Sequence, residues 1–204
     1  MRILGARVQR DRVGLWDKQM TLCRVLTLMI AVVLGTPGPS LAQSMLIEDF
    51  TMQPETRWRF FADTVMGGIS TGQMTFVTEE GRNHALMTGR VSTENNGGFI
   101  QIRLDLQTAP PKDAVGVRLV VRGNDTRYFV HLRTSGTLLP WQYYQAGFDV
   151  SRDWSEVKLP FASFKASGRL LRSIPDPQSL ESIGIVAFGR NHDAEIAVRE
   201  VGFY

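Results

Sequence analysis

Thiols are nearly absent from this chain: Cys23 is the single cysteine among 204 residues. With no second thiol, no disulfide can close within the chain and no thiolate cluster can hold zinc. Histidine is scarce too. His84, His131 and His192 show no His-x-x-x-His or similar ligand spacing, so a zinc site is not expected. The sequence has no Gly-x-Ser-x-Gly elbow, no phosphate-binding loop and no dinucleotide fingerprint. No two of its acids are set apart as a glycosidase pair. Catalysis is therefore not expected. Calcium takes oxygens from scattered loops, and Asn191-His-Asp193 and Asn124-Asp125 are the places where such oxygens gather. Nothing in the sequence requires a cofactor or a metal.

The basicity of the chain is also less than it looks. The net charge is +3, yet residues 1–42 hold six Arg and Lys against two Asp and Glu. From position 43 onward 17 basic side chains face 18 acidic ones. A clustered basic surface is the footprint of a nucleic-acid binder, and the body of this chain lacks the surplus for one. The N-terminal region reads as an export signal. Arg24 precedes the apolar run Val25–Leu34, and Thr36-Pro-Gly-Pro-Ser-Leu-Ala42 supplies small residues before a cut after Ala42. The run has ten residues, where a bilayer span takes about 20. Translation from Met20 would give a signal of 23 residues. Cys23 lies before the apolar run, so it is not placed as a lipidation site, and cleavage removes it. The expected destination is a periplasmic or secreted one, with no membrane span left after cleavage.

What the rest of the chain has in abundance is alternation. Ile100, Ile102, Leu104 and Leu106 take one phase, and Gln101, Arg103 and Asp105 the other. Val115, Val117, Leu119 and Val121 alternate with Gly116, Arg118 and Arg122; Tyr128, Val130 and Leu132 alternate with Phe129, His131 and Arg133. A period of two marks strands with one buried and one wet face. Further strands are expected at 46–50, 57–61, 73–78, 85–92, 143–150, 155–159, 183–188 and 194–203. Turn signals such as Glu80-Gly81, Pro110-Pro111 and Gly123-Asn124-Asp125 separate them. No twelve-residue stretch keeps a helical period, and at most a helical turn is expected over 176–182. The spacing predicts one all-β domain over 43–204, a β-sandwich.

Two glycine pairs stand out, in "DTVMGGIS" (63–70) and "ENNGGF" (94–99). Together with "VRGNDTRYFVHLRT", "YYQAGF" and "WSEVKLPFASF", in that order, they resemble the family of Complex I intermediate-associated protein 30. The resemblance runs from about Leu46 to Tyr204. It implies a galactose-binding-domain-like jelly roll. It also implies a non-catalytic role, known in eukaryotes as assistance in assembling respiratory complex I, in a fold whose relatives often bind sugars.

Three candidate surfaces follow from the residues. The loops hold Asp63, Met66, Gly67, Gly68, Ser70, Asn95, Asn96, Gly97, Gly98 and Phe99. They read either as two tight turns locked by local hydrogen bonds or as a pair of binding loops at one end of the sandwich. If the three clearest strands are neighbours, their wet phase gathers Gln101, Arg103, Arg118, Arg122, Phe129, His131 and Arg133 on one face. Such a face suits carboxylates, phosphates or sugar hydroxyls, or is a solvated surface of paired charges. Trp141 and Tyr144 head an aromatic cluster suited to stacking on sugar rings, or to core packing. The expected partner is another protein or a glycan. If the signal reading holds, Edman sequencing of the exported product returns Gln43 as its first residue; a product retaining residues 20–42 overturns it.

Overall fold

The computed structural model describes residues 45–204; the expected export signal and Cys23 lie outside the described residues. Twelve strands follow in order: β1 (Met45–Glu48), β2 (Trp58–Ala62), β3 (Thr71–Glu79), β4 (Arg82–Val91), β5 (Phe99–Asp105), β6 (Gly116–Gly123), β7 (Arg127–Thr134), β8 (Tyr144–Asp149), β9 (Ser155–Pro160), β10 (Lys165–Ala166), β11 (Leu180–Phe188) and β12 (His192–Phe203). They form two antiparallel sheets. The first has the order β3-β4-β12-β6-β9, with β1 on the C-terminal half of β12; the second has the order β10-β8-β7-β11-β5-β2. This is an all-β jelly-roll sandwich of the galactose-binding-domain-like kind.

Alternation builds the core as expected. Val117, Leu119, Val121, Met87, Ile196, Val198 and Phe203 point inward from the first sheet. They meet Ile100, Ile102, Leu104, Tyr128, Val130, Leu132, Ile183 and Ile185 from the second. Each fully buried aliphatic or aromatic side chain contributes about 1.5–3 kcal/mol, so this interface holds the domain without a crosslink. The Glu80-Gly81 turn joins β3 to β4 with both residues at positive φ, 51° and 73°, the backbone that a two-residue hairpin needs to match strand twist. The helical turn expected over 176–182 is a short 3₁₀ turn at Pro177–Ser179, after which the chain is strand.

One sequence expectation fails here. β5 and β7 flank β11 in the second sheet, but β6 pairs with β12 and β9 in the first. Arg118 and Arg122 therefore lie on the opposite outer surface from Arg103, His131 and Arg133. Alternation specifies which residues of a strand face out; it carries no information about which sheet the strand joins. Arg118 is held there by Glu156 and Glu200. Arg122 pairs with Glu79 and lies 4.7 Å over the Trp154 ring, which Arg199 also covers at 4.0 Å.

The glycine pairs answer to a single carboxylate. Asp63, at the end of β2, is completely buried. Its Oδ1 accepts from Ser70 N at 2.9 Å, and its Oδ2 accepts from Ser70 Oγ at 2.5 Å, Gly98 N at 2.5 Å and Phe99 N at 3.2 Å. Ser70 Oγ in turn accepts from Ser92 N at 2.9 Å. In each pair one glycine supplies conformation and the other supplies room. Gly67 and Gly98 have φ of 89° and 129°, where an L side chain is strained. A Cβ on Gly68 would sit on the Asp63 carboxyl carbon, and one on Gly97 would lie 2.5 Å from Oδ2. The two loops thus meet at one end of the sandwich, locked to each other. Asp63 and Ser70, expected as possible contacts for a partner, are instead enclosed, because their polar atoms are fully used inside the corner.

Burial alone would raise the Asp63 pKa, but the hydrogen bonds from Ser70, Gly98 and Phe99 outweigh it and hold the group below its ordinary value of 3.8. A depressed folded-state pKa gives stability that is present above the unfolded value and lost as pH falls through the folded one. Asp63→Asn is expected to destabilise the domain by about 2–4 kcal/mol at pH 7, since buried amide donors lose a charged acceptor. The deficit should shrink as pH drops below about 4. Urea melts of both proteins between pH 7 and pH 3 check this, and a pH-independent difference would refute the charge argument.

Candidate functional site

The outward face of the second sheet forms a groove of about 670 Å³. Its floor follows from register. Lys165, Gln145, His131, Gly184, Arg103 and Arg59 lie side by side in one row across all six strands. The next row toward the Asp63 corner runs through Gly147, Phe129, Val186, Gln101 and Phe61. Gly184, in the central strand, has no side chain to fill the middle of the floor, and the groove opens above it. Phe61, Phe99, Tyr143, Trp141 and Phe188 stand around this floor, with Gln101, Arg103 and Ser182 between them.

The Asp63 corner forms one wall. Its buried carboxylate fixes the 3₁₀ turn Asp63–Met66 and the start of β5. That placement sets Val65, Met66 and Phe99 on the groove; Met66 is 58% exposed. The amides of this corner are spent internally: Gly67 N on Thr64 O, Gly68 N on Asp63 O and Gly97 N on Glu94 O. Asn95 and Asn96 are exposed, with φ of 55° and 57°, and they do not line the groove. Their part in the geometry is the left-handed turn. A third loop closes the corner. Gly189 N donates to Gly98 O, and Thr93 N donates to Asn191 Oδ1.

The opposite wall is the loop between β7 and β8, and Arg133 organises it. Its guanidinium donates to the carbonyls of Thr137, Leu139, Pro140 and Gln142 at 2.9–3.2 Å. These bonds hold Trp141 at the groove edge with 64% of its surface exposed. Tyr144, which the sequence suggested as a stacking residue, is 2% exposed and packs in the core. The phase of β8 runs Tyr144, Ala146, Phe148 inward, so the neighbouring Tyr143 faces the groove. Tyr143 stacks on His131 with ring centroids 4.0 Å apart and planes at 9°.

His131 is not a cation here. Burial pushes its pKa down to about 3, and Gln145 Nε2 lies 3.1 Å from its Nε2, the geometry of an amide donating to a neutral imidazole. Arg103 keeps its charge over the Phe61 ring, 4.6 Å from the centroid. Phe61 and Phe188 were not singled out from sequence, and Tyr143 was read only as part of the Trp141–Tyr144 cluster. Phe61 and Tyr143 did carry a signal, since each is a large aromatic on the outward phase of its strand. Phe188 had none, because from Ile183 onward β11 has no charged or polar side chain and its two phases look alike.

Three of the loop side chains considered for calcium are engaged with the protein. Asn124 Oδ1 accepts from the Tyr128 hydroxyl, Asp125 pairs with Arg152, and Asn191 serves Thr93. Among the described residues no three His, Cys, Asp or Glu side chains gather into a metal site.

Solved structures share this architecture. The family 11 carbohydrate-binding module from Clostridium thermocellum, in complex with a beta-1,3-1,4-mixed-linked tetrasaccharide, aligns with a TM-score of 0.63 at 12% identity, over 78% of this chain and 94% of that one. The corresponding module of the cellulosomal cellulase Lic26A-Cel5E of Clostridium thermocellum gives 0.63 at 13% identity, over 78% and 93%. The agarase AgWH50C gives 0.54 at 8%, over 78% of this chain and 24% of that one. At such identities the likeness is one of fold. No curated protein matches the chain. Residues 48–198 match the family described as Complex I intermediate-associated protein 30 (CIA30). That span takes in strands β2 to β11 whole and the first part of β12, both glycine pairs and both groove walls, and the chain belongs to this family.

Proposed function

We propose that this is a non-catalytic, exported glycan-binding domain that takes a sugar chain along the groove of the second sheet. The observation that carries the reading is the outward phase of that sheet. Phe61, Tyr143 and Phe188, with Trp141 and Phe99 beside them, occupy positions where alternation ordinarily places small or polar groups. Aromatic faces turned to solvent lose hydration cheaply and stack against the C–H faces of sugar rings. Gln101, Ser182 and Arg103 supply the few directional polar groups that fix a ligand in a largely apolar site. The alignment with carbohydrate-binding modules supports the same reading through the fold alone.

A second reading, an assembly factor that docks another protein, is favoured by the family and by the exposed Val65, Met66 and Leu138 around the groove. The two make different demands on the same residues. On a glycan array the domain over residues 43–204 is expected to show saturable binding. Trp141→Ala and Tyr143→Ala should each weaken it about tenfold or more, the loss of roughly one stacked ring. Tyr144→Phe, a core substitution, should leave it unchanged. A blank array, with a single protein co-purifying from native membranes or periplasm and lost in Met66→Asp, would replace the glycan reading with the assembly one.

A further inference from the structure

We infer that the groove selects an anionic sugar, one bearing a uronate carboxylate or a sulfate ester, and that Arg103 is the guanidinium that meets its charge. This rests on the glycan reading and narrows it. The cations of the groove outnumber their counter-ions. Arg59 and Arg103 are direct cross-strand partners on the same face, an arrangement that like charges destabilise. Arg133 lies on the neighbouring row, beside Ser182, which is itself opposite Asp105. Among the described residues Asp105 is the one carboxylate that reaches this group. It pairs with Arg59 through Oδ2 and stands 3.4 Å from Arg103 Nε through Oδ1. That second approach is too poorly aligned for a hydrogen bond, and Arg103 Nε is buried with no acceptor. Arg133 forms no ion pair among the described residues; its partners are neutral carbonyls. Arg59 and Arg103 thus share one carboxylate and Arg133 is paired with none among the described residues, with Lys165 at the far end of the same row as Arg59 and Arg103.

A neutral imidazole sits in the middle of that row rather than another charge, so the positive potential is concentrated on the Arg103 side. Burial, and after it the neighbouring charges of Arg59 and Arg133, lowers the Arg103 pKa from its ordinary value; an incoming anion relieves that repulsion. The planar guanidinium is pre-oriented on the Phe61 ring. It presents a fork suited to the two oxygens of a carboxylate or two of a sulfate. The adjoining aromatic faces favour a sugar over a bare anion.

Titration calorimetry on the domain over residues 43–204 tests this with four probes of similar length. They are a tetragalacturonate, a sulfated galactan tetrasaccharide, the neutral beta-1,3-1,4 tetraglucose and a tetraglutamate peptide. At least one anionic sugar is expected to bind about tenfold or more tighter than the neutral one, and the stronger of the two identifies the anion. That advantage should fall as salt rises from 50 to 500 mM. Arg103→Gln should bring the anionic and neutral sugars to within about twofold of each other. Arg59→Gln, at an exposed position, should reduce the preference partway and serves if the first variant fails to fold. Neutral tetraglucose binding as tightly as both charged sugars overturns this inference and leaves the glycan reading standing. Tetraglutamate binding as tightly as the better sugar shows charge recognition without sugar recognition and overturns it too. Failure of every saccharide removes both.

Discussion

The Asp63 carboxylate is the constraint from which the groove's geometry follows. It is buried with no cationic partner among the described residues and satisfied instead by three backbone amides and one hydroxyl. A carboxylate in that setting is stable because it accepts several aligned donors at once; losing them would leave a desolvated charge. The donors come from both sides of the corner, Ser70 before β3 and Gly98–Phe99 at the start of β5. One group therefore ties the end of β2 to two strands in different sheets. The short distances leave no space for side chains at Gly68 and Gly97. What the glycine pairs protect is this packing around a charge.

The lock has a consequence on the surface. With Asp63 fixed, the turn that follows it presents Val65 and Met66 to one side of the second sheet, and Phe99 enters β5 on the outward phase. At the other side Arg133 does comparable work by a different device, gathering four carbonyls of the β7–β8 loop beneath Trp141. A second buried acid, Glu48, accepts from Phe50 N and Trp58 Nε1 and pairs with Arg57, so the segment after β1 is held down onto the sandwich. Loops built on such internal bonds keep apolar side chains exposed at low cost in flexibility, which is what a recognition surface on a rigid scaffold needs.

The two outer faces of the sandwich are chemically different. On the first sheet the arginines of β6 and β12 have an acid or a ring: Arg118 with Glu156 and Glu200, Arg122 with Glu79, and Arg122 and Arg199 on Trp154. That face is largely self-neutralised. On the second sheet the aromatic side chains surround an open floor, Arg59 and Arg103 share Asp105, and Arg133 bonds only carbonyls. The groove proposed for a glycan lies on this second face. Its apolar rim suits either a protein or a sugar, while its charge imbalance narrows the chemistry of whichever arrives.

Much of the fold was legible in the amino-acid order because period-two alternation, turn residues and the missing thiols are local properties. Strand phase predicted that Arg103, His131 and Arg133 face outward and that Ile100, Val130 and Leu132 face the core, and the paired glycines marked a corner that tolerates no other residue. Sheet membership was decided by long-range pairing. β6 joined β12 and β9 rather than β5 and β7, which carried Arg118 and Arg122 to the far side of the molecule. The protonation of His131 and the enclosure of Asp63 likewise depend on groups far away in sequence. Desolvation and hydrogen bonding are set by what packs around a side chain, and a linear pattern contains no record of those neighbours.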